Sequence, residues 1–208
     1  MKIDMHTHTL YSGHCLTKLN TFRKICLKKG IFPIITDHNT IEGALKYQKI
    51  YKDCIIGEEI STKQGEIIGF FLNEEIKKGL DIYDTIDRIK SQDALIYLEH
   101  PFDRLRKKLD QSYFDKIGFD IVEIFNSRTV FNQDNLKAKK FADTHNFLKG
   151  VGSDSHIGFE IGASYVMMDD FNSQKEFIKN LKNAKFYVKK SPIYVHAFTK
   201  FIKFKEII

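Results

Sequence analysis

Short apolar runs, nearly all closing on residues able to bind metal or phosphate, recur along this chain and limit its fold more than any other feature. Such runs at 2–6, 31–36, 55–57, 66–72, 94–99, 120–125 and 147–152 read as strands, with one further run at 163–168. Most are separated by stretches of helical spacing. Leu19, Phe22, Ile25, Cys26 and Leu27 form one such stretch, ended by Gly30, and Ala44, Leu45, Tyr47 and Tyr51 lie on another. Further helices are predicted at 83–91, 132–144 and 173–184. Strands alternating with helices predict a parallel α/β sheet. In such folds the functional site gathers at the carboxyl ends of the strands.

The first strand carries the densest cluster. Side chains two apart on a strand share a face, so His6 and His8 aim at one spot where the strand ends. His14 follows a Ser-Gly turn and is able to fold back over that spot. Three histidines beside Asp4 suit a borderline ion such as Zn, Mn or Fe. A His-X-His pair alone also occurs by chance on surfaces, so this segment does not decide the matter by itself. Polar groups at the other strand ends add weight: Asp37-His38-Asn39, Glu58-Glu59, His100-Pro101, Asn126-Ser127-Arg128 and Ser153-Asp154-Ser155-His156.

With 208 residues, 42% hydrophobic and 29% charged, the chain has the composition of a soluble globular domain. No apolar run is long enough to span a bilayer, and the first residues do not read as a signal peptide. Cys15, Cys26 and Cys54 show no paired spacing, which predicts reduced, packed thiols in a cytoplasmic protein. The net charge of +6 is compatible with an anionic substrate, nucleic acid included, although lysine-rich composition has other origins.

Taken together, six motifs in order carry a resemblance. They are Asp4-Met5-His6-Thr7-His8, Thr36-Asp37-His38-Asn39, Gly57-Glu58-Glu59-Ile60-Ser61, Glu99-His100-Pro101-Phe102, Glu123-Ile124-Phe125-Asn126 and Gly152-Ser153-Asp154-Ser155-His156. The chain resembles the polymerase and histidinol phosphatase (PHP) family of metal-dependent phosphoesterases. The resemblance implies a distorted TIM-like (β/α)7 barrel with two or three divalent ions (Mn, Zn or Fe) at the strands' carboxyl ends. By motif, His6, His8, Glu59 and Asp154 would hold one ion, Glu59 would bridge to a second held also by His100, and His14, His38 and His156 would hold a third. Where several family members place a histidine for the second ion, this chain offers only Glu66, which either substitutes as a ligand or is merely exposed. The resemblance implies Glu59 rather than Glu58, since the family's pattern is Gly-any-Glu followed by an aliphatic, and strand alternation agrees that only one of the pair turns inward.

The implied activity is hydrolysis of a phosphomonoester or of a nucleotide or oligonucleotide phosphodiester by metal-activated water. A histidinol-phosphate-type phosphatase of small metabolites is the alternative, and a non-catalytic module of the family a further one. Catalytic roles fall to Asp37, His38 and Glu59, where Asp37 either orients His38 and assists proton transfer or caps the next helix. Arg104, Arg128 and Asn126 are candidates for substrate binding, with Arg106 a weaker one, although arginines there also serve surface salt bridges. His145 and His196 match no motif. A domain is expected over 1–190, followed by a tail over 191–208 packed on it as an amphipathic helix. No membrane partner is expected, and the oligomeric state is not legible.

Overall fold

A computed structural model describes residues 1–196 and 199. The first half of the chain runs β1 (Lys2–Thr7), α1 (Leu19–Lys29), β2 (Ile31–Ile35), α2 (Glu42–Tyr51), β3 (Ile55–Ser61), β4 (Glu66–Phe70) and α3 (Ile82–Lys90). It continues with β5 (Leu95–Leu98), β6 (Ile121–Asn126), α4 (Asn132–Thr144), β7 (Leu148–Gly152), β8 (Tyr165–Met167), α5 (Gln174–Leu181) and β9 (Lys185–Tyr187). Among the described residues the strands form one sheet in the order β7-β6-β5-β4-β3-β2-β1-β8-β9.

The seven strands β1 to β7 curl into a barrel. Its seam lies beside β1, whose outer edge is shared between two partners. The first half of that edge pairs antiparallel with β8, through Lys2 opposite Met167 and Ile3 opposite Val166. The second half meets the segment just after β7, where Asp154 N donates to His6 O at 2.7 Å and His8 N to Ser155 O at 3.1 Å. β8 and β9 therefore lie outside the closed part.

Two features depart from the sequence reading. β4 runs antiparallel to both β3 and β5, so the sheet is mixed. The link from β3 to β4 is a tight turn in which Thr62 N donates to Gly65 O at 2.7 Å, too short for the crossover that parallel neighbours require. Gly65 sits there at φ +142°, with Lys108 and Leu109 backbone where a Cβ would lie, a position only glycine fills. The other departure is β9, whose three residues are all exposed and give no alternation of burial to read.

The helices pack for ordinary reasons. α3 buries Ile82, Thr85, Ile86 and Ile89 on one face, and Asp81 caps it by accepting from Tyr83 N at 3.0 Å. Each isoleucine sheltered this way contributes about 2 kcal/mol. Phe22 and Tyr47 meet edge to face, joining α1 to α2. Cys15, Cys26 and Cys54 are buried free thiols, each pushed by burial to about 12. Most of the expected tail helix lies outside the described residues. Within them, Val195 is buried and its carbonyl accepts from Arg128. No helix among the described residues is long and apolar enough to cross a membrane.

Candidate metal centre

Every strand end of the barrel's parallel part delivers a polar side chain to one place. Glu59 stands at the centre. Its Oε2 lies 3.1 Å from His6 Nε2, 3.2 Å from His8 Nε2 and 3.4 Å from His38 Nδ1. Its Oε1 lies 3.5 Å from His100 Nε2. A carboxylate with imidazoles on both oxygens has the form of a bridge. Asp154 completes one side, with Oδ1 3.3 Å from His8 Nε2 and 3.5 Å from His156 Nδ1. His14 comes over the top, its Nε2 2.9 Å from His156 Nε2. Glu58, the alternative to Glu59, turns away and accepts from Ile76 N at 2.9 Å.

Holding these groups together takes unusual backbone. Asn39, His100 and Asp154 have φ of +55°, +26° and +52°, each costing about 1 kcal/mol or more for a non-glycine residue. Each is held by a specific bond: Asn39 N to Glu59 O at 2.9 Å, Asp154 N to His6 O at 2.7 Å, and His100 N to Glu123 Oε2 at 2.8 Å. Three of the seven described non-glycine residues with positive φ thus lie at the strand ends that carry the cluster.

The ring orientations follow from buried partners. Glu123 Oε1 is 3.1 Å from His6 Nδ1 and fixes the ring with Nε2 turned to the centre, 3.1 Å from Glu59 Oε2, where a bound cation would take the place of the Nε2 proton. His8 Nδ1 lies 3.0 Å from Ser12 Oγ, which donates onward to Asp37 Oδ1 at 2.6 Å. The same logic turns His8 Nε2 inward. Asp37 is thus a positioning group for His8. Thr9 N at 2.6 Å and Thr9 Oγ1 at 2.5 Å occupy the rest of its carboxylate. Fully buried and engaged, Asp37 has no contact open to substrate, and α2 is capped at Ile41 instead. Ser12→Ala should weaken Mn binding about tenfold, because His8 loses the acceptor that fixes its tautomer; calorimetric titration of the variant checks this.

Electrostatics divides the cluster. Burial opposes ionisation of Glu59 and Asp154, yet the surrounding imidazoles, with Arg106 first for Asp154, hold both well below the usual carboxylate range. Burial disfavours the His6 cation too, but Asp154 and Glu123 overcome it and raise that ring well above its ordinary value. His38 goes the other way, pushed down to about 3 by burial despite Glu59. Such a centre replaces protons by cations readily.

The residues suit divalent ions on their own evidence. His8 Nε2, His100 Nδ1 and both oxygens of Glu99 are buried without a hydrogen-bond partner. Four sets have ligand atoms within 4.8 Å of one another: His8-His38-His156, His6-His8-Asp154, His38-Glu59-Glu66 and Glu59-Glu99-His100. Imidazole with carboxylate is a donor set for Zn, Mn or Fe. The cluster forms the floor of a 960 Å³ cleft, with Arg106, Lys78 and Lys107 on its wall.

The three expected substrate-binding residues are engaged by partners within the protein, although Arg128 also lines the cleft. Arg104 forks onto Asp134, with Nη2 2.7 Å from Oδ1, and lies over the Phe131 ring. Arg128 is buried, its Nη2 donating to Val195 O at 3.1 Å and Thr199 Oγ1 at 2.9 Å, with Nε 3.4 Å from Glu160 Oε1. Asn126 is buried and donates from Nδ2 to Glu123 Oε2 at 3.0 Å and Asp154 Oδ2 at 3.1 Å. All three hold other parts of the protein in place. Arg106 is the arginine bonded directly to a group of the centre, Asp154, and it is held by Asp103 Oδ2 at 3.0 Å. Sequence reasoning gave no role to Glu99 or Glu123, although a charged residue closing or interrupting an apolar strand is itself a signal of buried function. His196 also reaches the cleft wall, without any motif to announce it.

Comparison with known proteins agrees with this geometry. A family model described as PHP-associated matches residues 132–186. Uncharacterized protein MJ0417 of Methanocaldococcus jannaschii is 40% identical over 196 residues, covering 88% of this chain and 79% of that one. A two-domain protein from Bacteroides vulgatus, containing a predicted PHP-like metal-dependent phosphoesterase, superposes with TM-score 0.70 at 16% identity, covering 91% of this chain and 65% of that one. A lesion-specific endonuclease from Pyrococcus furiosus superposes with TM-score 0.61 at 15% identity, over 89% of this chain and 57% of that one. The fold, the motif order and these relatives together show that the chain belongs to the polymerase and histidinol phosphatase family.

Proposed function

We propose that this protein is a metal-dependent phosphoesterase that hydrolyses a nucleotide or the phosphorylated end of a short oligonucleotide, with water as nucleophile. The observation that carries the reading is the cleft floor, where Glu59 faces four imidazoles beneath a cationic wall. His6, His8, Glu59 and Asp154 would hold one cation, Glu59 and His100 a second, and His14, His38 and His156 a third. Bound cations would polarise the phosphate and lower the pKa of a coordinated water.

The chain's own residues supply the rest. Arg106 offers a planar guanidinium at the floor, aimed by Asp103, and in the substrate complex it binds a phosphate oxygen. Lys78 and Lys107 on the wall attract a polyanion longer than one phosphate. His38, kept neutral by burial and about a fifth exposed, presents a lone pair toward the cleft. Glu123, Ser12 and Asp37 fix the rings of His6 and His8.

The test is product analysis after Mn-loaded protein is incubated with 5′-phosphorylated short RNA and DNA, with a chelated control. Release of mononucleotides that chelation abolishes is the expected result. Phosphate release with the chain left whole would indicate a phosphomonoesterase instead. Failure with these and with small phosphorylated metabolites would overturn the reading. Arg106→Gln should lower kcat/KM about a hundredfold, equivalent to ~3 kcal/mol. Arg104→Gln should stay within about twofold in kcat/KM, since Arg104 pairs with Asp134 away from the cleft floor.

A further inference from the structure

Glu99 has been given no role so far, and its placement has no structural explanation. It follows directly on β5, is fully buried, and has neither carboxylate oxygen hydrogen-bonded. An unpaired buried acid destabilises a fold, and proteins retain one where it serves another purpose. Its surroundings indicate the purpose. Glu99, Glu59 and His100 each bring a ligand atom within 4.8 Å of the other two. The neighbouring ring of His100 leaves Nδ1 without a partner, while its Nε2 faces Glu59 Oε1 at 3.5 Å.

Glu66 competes for the same role and is differently placed. It stands on the cleft wall, accepts from Ser61 Oγ at 3.0 Å and lies 4.0 Å from Lys107 Nζ. Its carboxylate already has a hydrogen-bond donor and a nearby ammonium, and its ligand atom groups with His38 and Glu59 rather than with His100. Neither oxygen of Glu99 has any such partner.

We propose that Glu99, with Glu59 and His100, holds the second divalent cation, taking the place that Glu66 would otherwise fill. This rests on the metal-dependent reading of the same centre. Two carboxylates and one imidazole make the second position harder than the first, where His6 and His8 both contribute nitrogen. The second position therefore prefers Mn over Zn, and the two positions of one centre differ in metal preference.

The experiment compares chelator-stripped and Mn-reconstituted wild type, Glu99→Gln and Glu66→Gln, reading metal content after desalting, Mn titration and thermal melting. Glu99→Gln should retain one equivalent of Mn fewer than wild type and bind the second equivalent at least about tenfold more weakly. Its metal-free form should melt at or above the metal-free wild type, because a neutral amide replaces an unanswered acid, while the rise in melting temperature on adding Mn shrinks. Glu66→Gln should keep the wild-type stoichiometry. An unchanged Mn stoichiometry and affinity in Glu99→Gln would overturn the proposal. So would a metal-free Glu99→Gln that melts lower or fails to fold, since that would make Glu99 a structural group. A wild type that retains no divalent metal would instead sink the metal-dependent reading itself.

Discussion

Replacing Glu59 by glutamine should abolish turnover while leaving the protein folded. The amide matches the carboxylate in shape, so the barrel keeps its packing. The charge is what disappears, and four imidazoles depend on it: His6, His8 and His38 face one oxygen and His100 the other. No other described side chain touches both halves of the centre in this way. Removing the bridge should strip metal from two positions at once and lower kcat/KM at least about a thousandfold, or ~4 kcal/mol. Far-UV circular dichroism and metal analysis on the same sample check it. A folded Glu59→Gln protein that keeps its full metal content and more than a tenth of its activity would refute the bridging role.

The second large effect comes from a residue with no side chain. Gly152 ends β7 beside β1, and a Cβ there would overlap His6 Cβ and come within 2.8 Å of Glu123 Oε1. Neither neighbour is free to retreat. His6 Cβ is fixed by a paired strand, and Glu123 holds His6, His100 and Asn126 at once. Gly152→Ala should cost about 3 kcal/mol as overpacking. For a chain of this size that lowers the melting temperature by roughly 6–12 °C. It should also depress activity further than the melting shift explains, because the displaced atom belongs to a ligand. Gly30→Ala makes a useful comparison, since its Cβ would meet nothing within 4 Å and only its φ of +65° is strained. Thermal melts and activity measured below both transitions separate the two effects.

How far the sequence could be read depended on whether a signal is local. Strand alternation placed His6 and His8 together, and the two rings do meet with centroids 5.1 Å apart. Alternation also said that only one of Glu58 and Glu59 turns inward, the family's motif pattern said which, and Glu58 does turn away. Arginines could not be sorted in this manner. Arg104, Arg106 and Arg128 all follow strand ends, but which acid each one finds is decided by partners far along the chain: Asp134 for Arg104, Asp154 for Arg106, Glu160 for Arg128. A long side chain with several acids in range carries no mark of its choice in its neighbours. Asn126 shows the same limit, since its partners Glu123 and Asp154 become visible only when β6 and β7 lie side by side. The antiparallel β4 was legible in principle, because the four residues 62–65 between β3 and β4 leave no room for a crossover.

The seam beside β1 bears on how the protein comes into being. The hydrogen bonds that shut the barrel, Asp154 N to His6 O and His8 N to Ser155 O, are the same ones that set Asp154 against His6 and His8. Partners almost 150 positions apart must meet before either the barrel or the centre exists. Barrel closure and assembly of the centre therefore rest on the same contacts, and a chain truncated before β7 lacks Asp154 and His156 and holds only part of the ligand set.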